Sequence, residues 1–214
     1  MKSLPSNPRR IQDLEEIPAE FRLTLCGDNF LLYDSHDSYE DDDWEGERVI
    51  VFGTNENLKY LFRSNIWFLD GTFKVSPNIF FQLFSILGTM TQNTNRTKKQ
   101  TVGVPLIHAL LENKQMCSYK KVLEVAISAA QSIDIDTVIP DTIMTDFEMS
   151  IIQAVNEVLG HEKVQACFFH LCQNVHKHVV REGLKAVYED ETDDTVRFIM
   201  CIVNFSVWKK KFLE

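Results

Sequence analysis

Long apolar runs are missing: no uninterrupted stretch of the 214-residue chain approaches the ~20 apolar residues that a membrane-spanning helix needs. The N-terminus, "MKSLPSNPRRIQDLEE", also lacks the apolar core of a secretory signal. Paired cysteines are lacking too. The five that exist (Cys26, Cys117, Cys167, Cys172, Cys201) are odd in number and widely scattered, so a disulfide framework is excluded and reduced thiols are expected. These absences together lead to the expectation of a soluble, intracellular protein that is not secreted and has no membrane partner. A basic excess is absent as well, the net charge being −9, which at first argues against nucleic acid. The charge is uneven, however: "DSHDSYEDDDWEGE", residues 34 to 47, carries eight acidic residues and no Lys or Arg. Without it the chain is close to neutral, so a nucleic-acid partner stays open. That stretch reads as a solvated, partly disordered connection.

What is present is enough apolar material, 44% of residues, to bury one core with appendages. Residues 1 to 20 read as a polar tail. "FRLTLCGDNFLLYD" offers two short strand-like runs around Gly27, a hairpin leading into the acidic stretch. "RVIVFGT" is a β-branched strand, and in "NENLKYLFRS" the residues Leu58, Leu61 and Phe62 share one helical face. Three strand candidates follow, "IWFLDGTFKV", "FFQLFSILGTM" and "VGVPLIHALLE", with the polar loop "TQNTNRTKK" between the second and third. Their short connections predict an antiparallel meander. "SYKKVLEVAISAAQSI" has helical period, with Val122, Val125, Ala126, Ala129 and Ile133 on one face and Ser118 as N-cap. A strand "TIMTD", a helix "FEMSIIQAVNEVLG" ended by Gly160, and a strand "KVQACFF" complete a β-α-β segment. A meander followed by β-α-β, with the last strands parallel to the first, is the order of the ribonuclease H-like mixed α/β fold. The chain beyond His170 reads as helix with an acidic break at "EDETDD". There is no internal repeat.

One carboxylate, Asp70, stands inside the otherwise apolar run "IWFLDGTFKV", and a second, Asp146, stands at the carboxyl end of "TIMTD". Strand ends at β-to-α turns are where open α/β sheets hold ligands. In the ribonuclease H-like order these two strands are neighbours, and two carboxylates that close are costly unless a cation lies between them. Their oxygens suit Mg²⁺ or Mn²⁺ completed by water and phosphate, which leads to two-metal phosphoryl transfer. Each also has a plain structural reading. Asp70-Gly71 can make a hairpin turn, and "TDFE" fits a capping box with Thr145 as N-cap and Glu148 three residues on.

Four stretches, "WFLDGTFKVSPNIFFQLFSILG", "VPLIHALLENKQMCSYKKVLE", "IMTDFEMSIIQAV" and "CFFHLCQNVHKHV", in that order, resemble the catalytic domain of Mutator-like element (MULE) transposases over residues 45 to 185. The resemblance implies a ribonuclease H-like core with a DDE triad, a divalent metal, nuclear location, and strand cleavage and transfer on transposon DNA. Asp70 matches the first acid and Asp146 the second. The family's C-x2-H element falls on Cys167 and His170, which implies that His170 lies near the metal or the DNA. The family's third acid sits on a helix well downstream. Glu182, Glu189, Glu191 and Glu214 are available, and none lies in a recognisable version of that motif.

The expected organisation is therefore an N-terminal tail, hairpin and acidic loop (1–44), a transposase-like core (45–185), and the start of a truncated helical region (186–214). Truncation would leave Phe198, Ile202, Phe205 and Trp208 as an exposed apolar patch. Cys167, His170, Cys172, His176 and His178 lie within twelve residues and invite a zinc reading, but one strand end and one helix do not supply the separated ligand pairs of a structural site. Core packing suits the cysteines better. His170, Asn174, Lys177, Arg181 and Lys185 recur at helical spacing beside a stripe of Leu171, Val175 and Val179. That face is either solvated or, with Arg96, Lys98 and Lys99, contacts phosphates beside the carboxylates. The function expected is a transposase catalytic domain that binds DNA and, lacking its third acid, cuts it poorly. The alternative is a domesticated, non-catalytic scaffold that binds DNA or protein. A homo-oligomer stays open.

Overall fold

Alternation along one strand sets the architecture. In β3 (Ile66–Thr72), Trp67 and Leu69 are buried while Phe68 and Asp70 are half-buried, the two-residue period of a strand with one face on the core. The computed structural model describes residues 8–37, 44–95, 98–160 and 163–190, with backbone alone for 92–95 and 98–100. It divides into two compact units, residues 1–165 and 166–214.

In the first unit β3 joins β1 (Leu31–Asp34), β2 (Val49–Phe52), β4 (Gln82–Asn95), β5 (Lys98–Leu111), β6 (Thr142–Thr145) and β7 (Val164–Ala166) in a seven-stranded sheet of order β1-β2-β5-β4-β3-β6-β7. Pairing is antiparallel from β1 through β3 and parallel between β3 and β6. This is the mixed α/β arrangement expected from the sequence and is compatible with a ribonuclease H-like fold. The stretch read as a polar loop between β4 and β5 is instead strand: backbone pairing continues out to Asn95 and Lys98, so both strands run 14 residues.

Three helices meet the sheet's core face. In α2 (Asn55–Phe62), Thr54 caps the first turn by accepting from Asn57 N–H at 3.1 Å, and Leu58, Leu61 and Phe62 are buried. In α3 (Met116–Gln131), Val122 and Ala126 are buried and Val125 and Ala129 pack against the same core, as does Ile133 just past the end of the helix. Its N-cap is Gln115, one turn earlier than expected, and Ser118 lies inside the helix, where its Oγ donates to Asn113 Oδ1 at 2.9 Å. In α4 (Met149–Leu159), Ile151, Ala154, Val155 and Leu159 are buried, and Gly160 ends the helix at φ +96°.

Part of the N-terminal stretch read as a tail packs on the other face, where Ile17 is buried with Ile50 and Phe80. It contains a 3-10 turn at Ile11–Asp13 and a one-turn helix, α1 (Ala19–Arg22). Gly27, at φ +88°, turns a short segment closed by the bridge from Leu23 to Asn29 and by the Thr24 N–H donating to Asp28 O at 2.8 Å. The first residue of the acidic stretch, Asp34, is not solvated: it ends β1 with its side chain fully buried against Arg48. Residues 38–43 of that stretch, Arg96, Glu191, Cys201, Glu214 and the group Phe198, Ile202, Phe205 and Trp208 lie outside the described residues.

The second unit holds α5 (Phe168–Arg181) and α6 (Lys185–Glu189). No helix among the described residues is long and apolar enough to cross a membrane.

Candidate active site

The parallel register between β3 and β6 pairs Leu69 with Thr145, and both side chains are buried on the core face. The next residue on each chain is an acid, Asp70 and Asp146. Neighbouring strands run ~4.8 Å apart, so this register brings close together the backbones of two acids separated by 75 residues of chain, Asp70 inside β3 and Asp146 directly after β6. Asp70 is not in a hairpin turn, because β3 continues through Gly71 to Thr72. Asp146 is not in a capping box either. Thr145 is the last residue of β6, the N-cap of α4 is Glu148, and Asp146 Oδ1 accepts the Glu148 N–H at 2.9 Å. The short Asp side chain bonds two residues ahead and turns the chain from strand to helix.

Across the sheet from Asp70 stands Ser85 on β4, and across from Ser85 stands His108 on β5. Ser85 Oγ and His108 Nδ1 are 3.0 Å apart. Burial pushes the His108 imidazole below its ordinary range, because desolvation disfavours its charged form.

On the core side the same end of the sheet carries a polar group that sequence reasoning did not single out. Gln82, fully buried at the start of β4, donates to Asn113 O at 3.1 Å and to Tyr119 Oη at 2.6 Å. Tyr119 donates in turn to Glu148 Oε1 at 2.6 Å. The other oxygen of Glu148 accepts from Lys114 Nζ at 2.5 Å, and that ammonium lies 4.4 Å from the centroid of Phe73. Burial, and then the nearby carboxylates of Glu148 and Asp146, raise the Tyr119 phenol far above its ordinary value, while the Gln82 hydrogen bond works the other way. The phenol is a proton donor at any physiological pH. The one signal in the sequence for this group is Gln82 itself, a polar residue inside "FFQLF", the same kind of interruption that marks Asp70.

Cys167, His170, Asn174, Lys177 and Arg181 lie in the second unit. Cys167 is the N-cap of α5, His170 is half-buried near its start, and Asn174, Lys177 and Arg181 are exposed along it. Arg181 contacts His178 Nδ1 at 2.8 Å and Glu182 at 3.3 Å, and Lys185 pairs with Glu189 at 3.6 Å. Val179 is buried, with Leu171 and Val175 half-buried beside it. Among the described residues no group of three or more His, Cys, Asp and Glu side chains gathers at metal-holding distance. Lys98 and Lys99 open β5, with Lys99 nine residues before His108. At ~3.4 Å per residue that is roughly 30 Å along the strand, so the structure does not bring them to the carboxylates: the hairpin carries them away.

A family model described as the MULE transposase domain matches residues 66–174, just over half of the chain, from the first residue of β3 into α5. No curated protein matches the sequence.

Proposed function

Because the chain belongs to the MULE transposase family, we propose that Asp70 and Asp146 together hold a divalent cation, Mg²⁺ or Mn²⁺, for phosphoryl transfer on DNA. The observation that carries this reading is the β3–β6 register, which makes the two acids consecutive to the paired residues Leu69 and Thr145. Hard carboxylate oxygens on adjacent strands are the donors such cations take, with water and phosphate completing the shell. A bound cation would stabilise the leaving oxygen and lower the pKa of an attacking water or 3′-hydroxyl. Asp70 and Asp146 would hold that cation through their carboxylate oxygens, their negative charge offsetting the positive charge of the ion. Asn174, Lys177 and Arg181 contact backbone phosphates without reading sequence, in a salt-dependent manner. DNA is thus the partner and the nucleus the place of action.

No residue of this chain is assigned as the third acid of a DDE triad. Both oxygens of Glu148 are already engaged by Tyr119 and Lys114, which makes it a brace and not a ligand. Two carboxylates hold metal more weakly than three and leave one ion short of a fixed position. Cleavage by this chain is therefore expected to be slow, with DNA binding retained.

The test is a nicking and strand-transfer assay in Mg²⁺ and Mn²⁺, beside filter binding at several salt concentrations, for the unaltered chain, Asp70→Ala and Asp146→Ala. Weak, sequence-independent binding with little cleavage supports the reading. Robust cleavage abolished by both substitutions means that a third acid is supplied within the chain. Absence of DNA binding even at low salt refutes the DNA partner and favours a protein-binding scaffold.

A further inference from the structure

The polar group behind the sheet links the two acid-bearing strands through a continuous set of contacts. It begins at Gly71, the residue after Asp70. A Cβ at Gly71 would stand 2.5 Å from Gln82 Oε1, so the Gln82 amide rests directly on that backbone. The other end of the same amide donates to Tyr119 Oη, Tyr119 donates to Glu148 Oε1, and the Glu148 N–H donates to Asp146 Oδ1. The direction of each bond is fixed by chemistry. Glu148 is an acceptor only, so the single phenolic proton points to it, and Tyr119 Oη must accept from the Gln82 NH₂. The amide cannot reverse without losing that bond.

This arrangement is poor as a stability device. Gln82 Oε1 is buried with no hydrogen-bond partner among the described residues, which is a cost that an apolar side chain would avoid. A half-satisfied polar group in a core asks for another reason. The position supplies one: it spans from the backbone beside the first acid to the side chain of the second, under the place where like charges must be held at a set distance.

We propose that Gln82, Tyr119 and Glu148 are positioning residues that fix the separation of the Asp70 and Asp146 carboxylates. The proposal rests on the reading of those two acids as a metal-holding pair. Lys114 belongs to the device through its bond to Glu148 Oε2, which leaves Glu148 no second orientation. Gly71 belongs to it as well, because any side chain there would drive the Gln82 amide off the backbone. Groups that orient metal ligands from behind change metal affinity by about 10–100-fold when removed.

The experiment measures Mn²⁺ affinity of the full chain by titration with electron paramagnetic resonance detection of free Mn²⁺, alongside thermal unfolding. Tyr119→Phe keeps the ring and removes the proton donor, and Gly71→Ala displaces Gln82 from the opposite end. Both are expected to weaken Mn²⁺ binding about tenfold or more. Val122→Ala, on the same helix but buried in the apolar core, is the control: it lowers the unfolding temperature and leaves Mn²⁺ affinity unchanged. Asp70→Asn and Asp146→Asn define the site. If these two abolish binding while Tyr119→Phe and Gly71→Ala behave like Val122→Ala, the positioning role is refuted and the metal pair stands. If the unaltered chain shows no Mn²⁺ binding that depends on Asp70 and Asp146, both are refuted.

Discussion

Replacing Arg48 by Met removes the cation that compensates a fully buried carboxylate. Arg48 and Asp34 have side chains 6% and 0% exposed, and the guanidinium meets the carboxylate with both prongs, Nε to Oδ1 at 2.9 Å and Nη2 to Oδ2 at 2.6 Å. The same guanidinium donates to Leu14 O and Glu15 O, tying the N-terminal segment to β1 and β2. Without it Asp34 keeps the His36 N–H at 3.1 Å. Breaking one side of such a pair costs about 3–5 kcal/mol, a large share of the ~5–15 kcal/mol that holds a domain folded. Urea unfolding followed by circular dichroism measures it, with the slope checked for two-state behaviour. Arg48→Met combined with Asp34→Leu should recover most of the loss, since no buried charge remains. A loss below about 1 kcal/mol, the worth of an exposed ion pair, would refute the buried pairing of Arg48 with Asp34.

Three other outcomes are expected. His108 is held below its ordinary value of 6.5 by burial. The unfolded chain therefore binds the extra proton first, and stability falls as pH drops below about 6.5; urea midpoints at pH 7.5 and 5.5 should converge in His108→Gln. Gly160 sits at φ +96° with nothing within 4 Å of an added Cβ, so Gly160→Ala tests backbone strain alone and should cost about 1–3 kcal/mol in thermal unfolding. Lys177→Ala and Arg181→Ala should each lower the slope of log affinity for DNA against log salt by about 1, and an unchanged slope would remove α5 from the DNA interface.

The features legible in the sequence were those whose cause is local. Asp70 was conspicuous as a charge in an apolar run, and the helical faces of α2 and α3 followed from spacing, because burial of Leu58, Leu61, Phe62, Val122 and Ala126 is written in their period. The parallel pairing of β3 with β6 followed once strand order was inferred. What escaped depends on partners distant in sequence. Asp34 lay at the head of an acidic stretch, and only the fold brings Arg48 against it. Glu148 fitted a capping box equally well on paper, and its engagement by Tyr119 and Lys114 arises from the packing of α3 against α4. The lysines at 98 and 99 read as loop because polar Thr, Gln and Asn mark loops and exposed strands alike, and pairing with Asn93 and Asn95 decides for strand.

The measurement closest to the central claim is a crystal structure of this chain grown with Mn²⁺, with the metal located by its anomalous scattering. The account predicts an anomalous peak within ~2.0–2.3 Å of carboxylate oxygens from both Asp70 and Asp146, as divalent oxygen coordination requires, and its loss in Asp146→Asn. Carboxylates more than about 10 Å apart, too far to share ions that lie ~3.5–4 Å from each other, or a peak held by neither acid, would contradict it.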